Sequence, residues 1–234
     1  MAIAREIASD RMSGAADTET IRGMAIYEFT KSVADRIMAL FATIVLLPFL
    51  ALLAVLIRID SPGSAIYRRE QVGKNGKRFI AYKFRTMKVN NDDKEYKEYL
   101  IKYILENRPY RIDEDGKEVF KVVDDPRVTR IGAILRKTNL DELPQLFNIL
   151  KGEMSWVGPR PDIPYSVNMY KEWHRERLDV IPGMTGLWQV CGRKNVSFEE
   201  MVRLDIEYIK TRSVWLDIKI ILSTVSIVLR GDGS

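Results

Sequence analysis

The chain has 234 residues, 46% of them hydrophobic, and its 37 Lys and Arg outweigh its 32 Asp and Glu by a formal net charge of +5. This much apolar material supports a packed core and excludes wholesale disorder. A single Cys and a single His exclude an intramolecular disulfide, a zinc finger and a three-histidine zinc site, and they leave open a hard cation bound by carboxylates.

The N-terminal part of the chain predicts a tail followed by a membrane helix. Residues 1–30 are expected to form a mobile tail, since the first twenty mix small and polar types without a sustained pattern. Within the next segment, 31–60, the 21 residues from Ile37 to Ile57 carry no charge. As a helix they would extend for about 31 Å, which is roughly the thickness of a bilayer core.

Pro48 lies at the centre of this apolar run. Proline removes a backbone hydrogen-bond donor and favours a kink. Basic residues flank the run on both sides, so the positive-inside rule draws both flanks towards the cytoplasm. A helix that bends at Pro48 and returns to the same side satisfies both observations. A single span that tolerates the proline is the alternative.

Residues 61–234 are predicted to form a cytoplasmic domain that begins with a basic β-hairpin. Residues 64–68 and 78–84 are typical of strands around a turn at residues 73–76. Residues 68–88 contain eight basic side chains and one acid, which fits attraction to anionic lipids, a site for phosphate groups, or both. The charge reverses in an acidic insert at residues 91–125, expected to begin with an exposed helix over 92–106.

The last helix is predicted over residues 214–230. Apolar residues at helical spacing form one face, which lies either in the membrane interface or in the core of the domain.

His174 lies among charged residues and is expected to be exposed to solvent. The acidic insert offsets the basic segment, which argues against nucleic acid as a partner.

Two adjacent carboxylates, Asp141 and Glu142, begin a predicted helix with an apolar face at residues 143, 146, 147 and 150. Asn139 is expected to be its N-cap, which places both acids in the first turn, where the helix dipole favours negative charge. Successive helical residues point about 100° apart, so these carboxylates cannot face each other across a glycosidic bond. They either take separate roles, such as attack and metal binding, or only complement the dipole.

Two arginines accompany this acidic pair. Arg136 lies just upstream, and the rigid turn Gly158–Pro161 presents Arg160. Arginine binds phosphate through paired, charge-assisted hydrogen bonds, so the combination favours a phosphate-bearing substrate.

Several separated segments resemble the bacterial sugar transferases, and among them the monotopic polyprenol-phosphate phosphoglycosyl transferases. The resemblance extends from about residue 31 to the C-terminus and is greatest to the hexose-1-phosphate transferases that begin O-antigen, capsule and exopolysaccharide synthesis. Its segments, besides the apolar run with its proline, are YKFRTM at 82–87, LDELPQL at 140–146, GPRP at 158–161 and PGMTGLWQV at 182–190.

This resemblance implies an enzyme that transfers a sugar-1-phosphate from a UDP-hexose, with glucose or galactose as the sugar, to undecaprenyl phosphate. UMP would leave, and a covalent intermediate would form on Asp141. Glu142 would help to bind Mg²⁺, and Arg160 would bind a substrate phosphate. The further site residues that the resemblance implies are Lys83, Arg136 and Asp205, with Gln189 and Arg193 towards the nucleotide. It also implies re-entry of the membrane helix at Pro48, although Leu47 stands where the family often has a serine.

The predicted fold is therefore α/β and helix-rich, with an N-terminal re-entrant membrane helix broken at Pro48, a small basic β-hairpin, and a helical catalytic domain with amphipathic interface helices. The expected location is the cytoplasmic face of the bacterial inner membrane. The expected partners are the UDP-sugar, undecaprenyl phosphate, membrane lipids and a second copy of the chain in a homodimer. The chain is either a stand-alone enzyme or the catalytic part of a larger one.

Two alternative functions stay open at this point. One is a membrane-anchored scaffold that binds anionic lipids and needs no metal. The other is a glycosyltransferase that transfers only the sugar and releases UDP.

Overall fold

A computed structural model of the chain describes residues 18–89, 94–113, 115–120, 125–192 and 195–230. The described part is helix-rich and contains three two-stranded sheets, of which β1–β2 and β3–β4 are antiparallel and β5–β6 is parallel. This confirms the predicted class in its coarse form. The helices are α1 (Thr18–Asp60), α2 (Lys94–Leu105), α3 (Arg130–Thr138), α4 (Leu146–Lys151), α5 (Pro164–Val167), α6 (Leu187–Cys191), α7 (Phe198–Thr211) and α8 (Val214–Leu229). The strands are β1 (Ile66–Val72), β2 (Arg78–Phe84), β3 (Arg111–Ile112), β4 (Glu118–Val119), β5 (Ser155–Val157) and β6 (Gly183–Thr185), and 3-10 turns cover Lys74–Gly76, Leu140–Gln145 and Glu172–Leu178.

Helix α1 is longer than predicted at its N-terminal end. It begins at Thr18, so residues 18–30 are helical, and the predicted tail is wrong for them; residues 1–17 lie outside the described part. Contacts with the domain account for the extension, since Tyr27 and Lys31 both donate hydrogen bonds to Asp217, at 2.9 and 2.8 Å. The helix also continues through Pro48, so the predicted break is not an interruption of the helix.

Side chains on both sides of Pro48 pack on the domain, which holds the two halves of α1 in place. Before the proline, Ala39 packs with Leu146 and Ile149 of α4. After it, residues 50, 53 and 57 pack with Phe84 and Leu135. The opposite face is apolar and exposed, with Phe41 at 70%. By length and composition, residues 23–60 could cross a membrane.

The basic hairpin forms as predicted, although its first strand extends to Val72. Lys83 lies opposite Tyr67, and Ala81 lies opposite Arg69. Buried Asn148 of α4 holds the β2 backbone on either side of Ala81, because its amide donates to the carbonyl of Ile80 at 2.7 Å and accepts from the N–H of Tyr82 at 3.1 Å. The strand that carries Lys83 is therefore fixed to α4.

Arg85 shows that one residue of the basic segment serves the fold. It is only 8% exposed, and its guanidinium donates to the carbonyl oxygens of Pro62 and Ser61, the latter at 2.6 Å. These carbonyls follow the end of α1, where unpaired backbone acceptors favour a positive charge. The phosphate and lipid interpretations of the segment therefore do not extend to Arg85.

Helix α3 lies close against the residues that follow β2, and Gly132 permits this approach. A Cβ atom added at Gly132 would lie 2.1 Å from the carbonyl oxygen of Thr86. We therefore expect Gly132→Ala to lower the free energy of unfolding by about 1–3 kcal/mol, because backbone must move to relieve the overlap. Thermal unfolding in detergent would measure this. Gly23→Ala is the matched control, since its Cβ meets no atom within 4 Å; equal stability of the two variants would contradict the prediction.

Two further elements surround the site. The insert helix forms as α2 within the predicted range, of which residues 92 and 93 lie outside the described part. Its Leu100 and Ile104 are buried, so the predicted exposure is wrong for that face. Helix α8 buries Leu216 and Ile220 against the domain but exposes Trp215 and Leu222 by 65% and 64%. The core interpretation thus applies to one face of α8. The opposite face is apolar and is not buried within the described structure, which leaves it for the membrane-interface interpretation.

Candidate active site

The two adjacent carboxylates lie in a tight turn between α3 and α4. Asp141 and Glu142 are in the first turn of the 3-10 segment Leu140–Gln145, as the sequence predicted for their position. Asn139 is the N-cap residue of this segment, as predicted, but its side chain makes no capping hydrogen bond to it. Asn139 adopts the left-handed conformation with φ of 55°, and its N–H donates to the last carbonyls of α3, so it ends that helix. Asparagine tolerates this conformation better than most residues.

Two cations clamp Glu142. Lys83 donates from Nζ to Oε1 at 2.7 Å. Arg160 donates from Nη1 to Oε2 at 3.0 Å and from Nη2 to Oε1. The strand, the turn and the GPRP loop therefore meet at one carboxylate.

The neighbouring Asp141 is in a different state. Among the described residues, no hydrogen bond or ion pair occupies its carboxylate, and its oxygens are not among the fully buried unpaired atoms. Asp141 is half-buried and lies within the field of Lys83, Arg160 and Arg136. The site thus pairs one restrained carboxylate with one that a substrate can approach.

The surroundings shift the two pKa values in opposite directions. Burial raises the pKa of Asp141 above its ordinary value, with Lys83 opposing and Glu142 adding to the shift. Burial would also raise the pKa of Glu142, but Arg160 and Lys83 outweigh it and hold that pKa well below its ordinary value. Glu142 is consequently the ionised partner of the two cations.

Arg136 approaches the pair from α3. Its Nε donates to the hydroxyl of Thr86 at 3.0 Å, just after β2. Thr86 belongs to the YKFRTM segment, whose sequence does not indicate this role. Thr86 can orient Arg136 because α3 approaches it closely at Gly132. The predicted cations Lys83, Arg136 and Arg160 are therefore brought together from three different elements.

A buried ion pair supports the loop that carries Arg160. Arg177 donates to the carbonyl oxygen of Arg160 at 2.9 Å and to Asp205 Oδ2 at 2.5 Å. A third donation reaches the hydroxyl of Tyr170 at 2.8 Å, and Tyr170 in turn donates to Asp162 at 3.0 Å. The Arg177 and Asp205 side chains are 2% and 1% exposed. The loop is therefore tied to α7 through charges that water cannot reach.

Comparison with known proteins shows the family of this chain. The family model described as bacterial sugar transferase matches residues 26–231. The chain belongs to the bacterial sugar transferase family. It is 41% identical over 206 residues to the undecaprenyl-phosphate galactose phosphotransferase of Salmonella typhimurium, covering 88% of this chain and 42% of that protein.

Two further relatives differ in how much of their length this sugar transferase covers. The galactosyl transferase CpsE of Streptococcus agalactiae is 41% identical over 216 residues, which are 90% of this chain and 45% of CpsE. The exopolysaccharide production protein ExoY of Rhizobium meliloti is 38% identical over 218 residues, which are 92% of this chain and 89% of ExoY. The chain thus spans less than half of the first two relatives and most of the third.

Two predicted site residues of the sugar transferase lie outside the central cluster, and a third is outside the described residues. Asp205 contacts Arg177 behind the GPRP loop, and burial raises its pKa to about 6 although Arg177 opposes the shift. Gln189, on α6, donates to the carbonyl of Met184 at 3.5 Å, so this contact lies within its own loop. Arg193 lies outside the described residues. Asp205 is accordingly a support for the loop, and of the predicted site residues that the structure describes, Lys83, Arg136 and Arg160 are the ones whose charges act on the two carboxylates.

Sequence reasoning missed Arg177, which links Asp205 to the backbone of Arg160. It belongs to a run of charged residues at 171–177, and nothing in the local sequence distinguishes a buried arginine from its exposed neighbours. His174 in the same run was predicted to be exposed, and this is wrong, because its relative exposure is 0%. Packing against the rings of Trp173 and Phe198 accounts for the burial.

The buried His174 predicts a pH-dependent stability. Burial, together with the charges of Lys171 and Arg177, lowers its pKa from 6.5 to about 4, although Glu199 opposes the shift. The folded state therefore binds fewer protons than the unfolded state between these values. The stability contribution of the neutral ring is complete above pH 6.5 and is lost as the pH falls towards 4. We expect the melting temperature to fall less on acidification in His174→Gln than in the wild type; equal falls would contradict this.

Proposed function

We propose that this chain transfers a hexose-1-phosphate from a UDP-hexose to undecaprenyl phosphate and releases UMP, as an early membrane step of polysaccharide assembly. The observation that carries the proposal is the accessible carboxylate of Asp141 beside Glu142, surrounded by Lys83, Arg160 and Arg136. The name of the Salmonella relative, an undecaprenyl-phosphate galactose phosphotransferase, supports the choice of acceptor and of a hexose.

The proposed reaction has two displacements at one phosphorus atom. An Asp141 carboxylate oxygen attacks the phosphorus bonded to the sugar, and the bond from this phosphorus to the oxygen of UMP breaks, so that UMP leaves with the electron pair. A phosphate oxygen of undecaprenyl phosphate then attacks the same phosphorus. The bond to Asp141 breaks, which yields the lipid diphosphate sugar and restores the carboxylate. A carboxylate is a competent phosphoryl acceptor, and neither step needs a proton from the protein.

The cations around Asp141 fit this chemistry. Phosphoryl transfer depends mainly on positioning and on neutralising charge at the phosphate oxygens. Arg160 presents two N–H groups, and Lys83 presents a point charge from the facing strand. Both now contact Glu142, and an arriving diphosphate would compete with Glu142 for them.

We propose Mg²⁺ as the cofactor, with Glu142 as a protein ligand. The described residues contain no group of three or more His, Cys, Asp or Glu side chains placed to bind a metal ion. Mg²⁺ usually takes one or two carboxylates together with water and substrate phosphates, so the donor set here fits that pattern. When bound, Mg²⁺ would neutralise charge on the diphosphate. Glu142 becomes available as a ligand when Lys83 and Arg160 turn towards the substrate.

The contacts of α1 support a monotopic attachment to the membrane. Near one end of the apolar run, Ser155 donates to Asp35 at 2.6 Å, and at the other end the N–H of Ile131 donates to Asp60 at 3.1 Å. Both ends of the run thus bind the same domain, which favours re-entry over a crossing. We propose that the exposed face of α1 and the apolar face of α8 contact lipid, and that the domain lies at the cytoplasmic face of the inner membrane.

Nucleotide release tests the proposed function. The full chain, purified in detergent, is incubated with undecaprenyl phosphate, Mg²⁺ and either UDP-glucose or UDP-galactose. UMP formation that needs both the lipid and Mg²⁺ is the expected result. UDP would instead indicate transfer of the sugar alone, and binding to anionic vesicles without any nucleotide release would indicate the scaffold. Light scattering on the same sample tests the proposed homodimer.

A further inference from the structure

The acidic insert, to which the proposed chemistry assigns no role, contacts the basic hairpin beside the site through Tyr96. Tyr96, near the start of α2, lies against Arg69 of β1, with the guanidinium carbon 5.7 Å from the ring centroid. Arg69 also donates a hydrogen bond to Tyr96, and the charges of Asp162 and Arg160 act on the same hydroxyl. An aromatic side chain of the insert thus lies next to the GPRP loop.

Strand geometry places Arg69 on the same face as Lys83. Directly opposite residues of an antiparallel pair share a face, and residues two apart along a strand share it as well. Arg69 lies opposite Ala81, two residues before Lys83, and Tyr67 lies opposite Lys83 itself. The side chain of Arg69 is therefore directed to the side of the hairpin on which Lys83 reaches Glu142.

The end of β1 is also joined to the loop that carries Arg160. The N–H of Val72 donates to the carbonyl of Asp162 at 2.8 Å, and this bridge lies two residues after Arg160. Along the hairpin, Arg69 is two residues from the Tyr67–Lys83 pair in the direction of Val72. Arg69 is therefore displaced from Lys83 towards the end of β1 that is joined to the loop carrying Arg160.

The position of Arg69 matters for an in-line displacement. The attacking and leaving oxygens lie on opposite sides of the phosphorus, so the leaving nucleotide points away from the attacking carboxylate. Lys83 lies at the carboxylate pair, so a second cation farther along the same face of the hairpin is in position to meet the phosphate of the leaving nucleotide. We propose that Arg69 binds this phosphate of the UDP-sugar and that Tyr96 is a positioning residue for Arg69. The inference rests on the proposed function, since it uses Asp141 as the nucleophile.

The insert thereby acquires a role in recognition of the nucleotide. Tyr96 holds the guanidinium by its ring and its hydroxyl, which restricts the rotamers of a long side chain before substrate arrives. Helix α2 also contacts α5 and α7, which fixes Tyr96 to the body of the domain. Removal of the hydroxyl alone should therefore weaken nucleotide binding less than removal of the charge.

Steady-state kinetics of the full chain test this inference with Arg69→Gln, Tyr96→Phe and the double variant. For Arg69→Gln we expect the KM for the UDP-sugar and the inhibition constant of UMP each to rise about tenfold, since a hydrogen bond to a charged group is lost. The KM for undecaprenyl phosphate should be unchanged. Tyr96→Phe should raise the same two constants by a smaller factor, and the double variant should match Arg69→Gln, because Tyr96 acts through Arg69.

Arg68→Gln is the matched control. It removes the same charge from the preceding residue of the strand, whose side chain is on the opposite face and exposed. Equal effects of Arg68→Gln and Arg69→Gln would overturn the inference, as would a change confined to the KM for the lipid. Wild-type protein that releases no UMP would overturn the proposed function together with this inference. Wild-type release of UMP with unchanged constants in Arg69→Gln would overturn this inference alone.

Discussion

Replacement of Asp141 by Asn is expected to abolish phosphosugar transfer, by more than about 10³-fold in kcat, and to leave the fold intact. The amide is nearly the same size as the carboxylate but cannot attack phosphorus, so the covalent route is lost. The ion pairs of the site are formed by Glu142, which the variant retains. Release of UMP from the UDP-sugar is the measurement.

A second measurement separates loss of the nucleophile from loss of substrate binding. A UDP-sugar with a radiolabelled sugar is mixed with the protein without lipid acceptor, and denatured protein is assayed for bound label. The wild type should retain label and Asp141→Asn should not. Asp179→Asn, which removes an exposed carboxylate elsewhere, should behave as the wild type. Labelled Asp141→Asn, or UMP release near the wild-type rate, would show that another group attacks.

The basic hairpin and the terminal helix were predictable because each depends on a local pattern. Alternating side chains around a glycine-containing turn give β2 its observed bounds of Arg78–Phe84. Spacing of three and four residues predicts α8 to within a residue of its end. The proximity of Asp141 and Glu142 follows from adjacency alone. Such features depend on residues close together in the sequence, where propensity and periodicity determine the local structure.

The parts that sequence reasoning missed depend on contacts between distant residues. The helical state of residues 18–30 is stabilised by distant partners such as Asp217, which accepts a hydrogen bond from Tyr27 across 190 residues of sequence. The burial of His174 depends on Phe198, and the role of Arg177 depends on Asp205 and on a backbone carbonyl. A single sequence carries no signal for such pairings, because the charged run at 171–177 is equally compatible with a solvated surface.

Arg160→Lys is expected to lower kcat by about 100-fold, although it keeps the charge. The guanidinium contacts Glu142 through two nitrogens at once, and the same fork can bind two oxygens of a phosphate, which an ammonium group cannot. Loss of one preorganised donor from a transition state costs on the order of 10²–10³-fold. Kinetics with a saturating UDP-sugar would measure the change, and Arg175→Lys at an exposed position is the matched control.

This effect should fall on kcat because the backbone of the loop does not depend on the side chain that is changed. Arg177 binds the carbonyl of residue 160, and that bond is available to lysine as well. The variant therefore keeps the loop in place and loses only the geometry of one donor pair. Arg69, which we propose binds the phosphate of the leaving nucleotide, should affect mainly KM, since this phosphate is bound before and after the displacement. If Arg160→Lys instead raised only the KM for the UDP-sugar, the two arginines would have the same role, and the assignment of Arg160 to the reacting phosphate would be wrong.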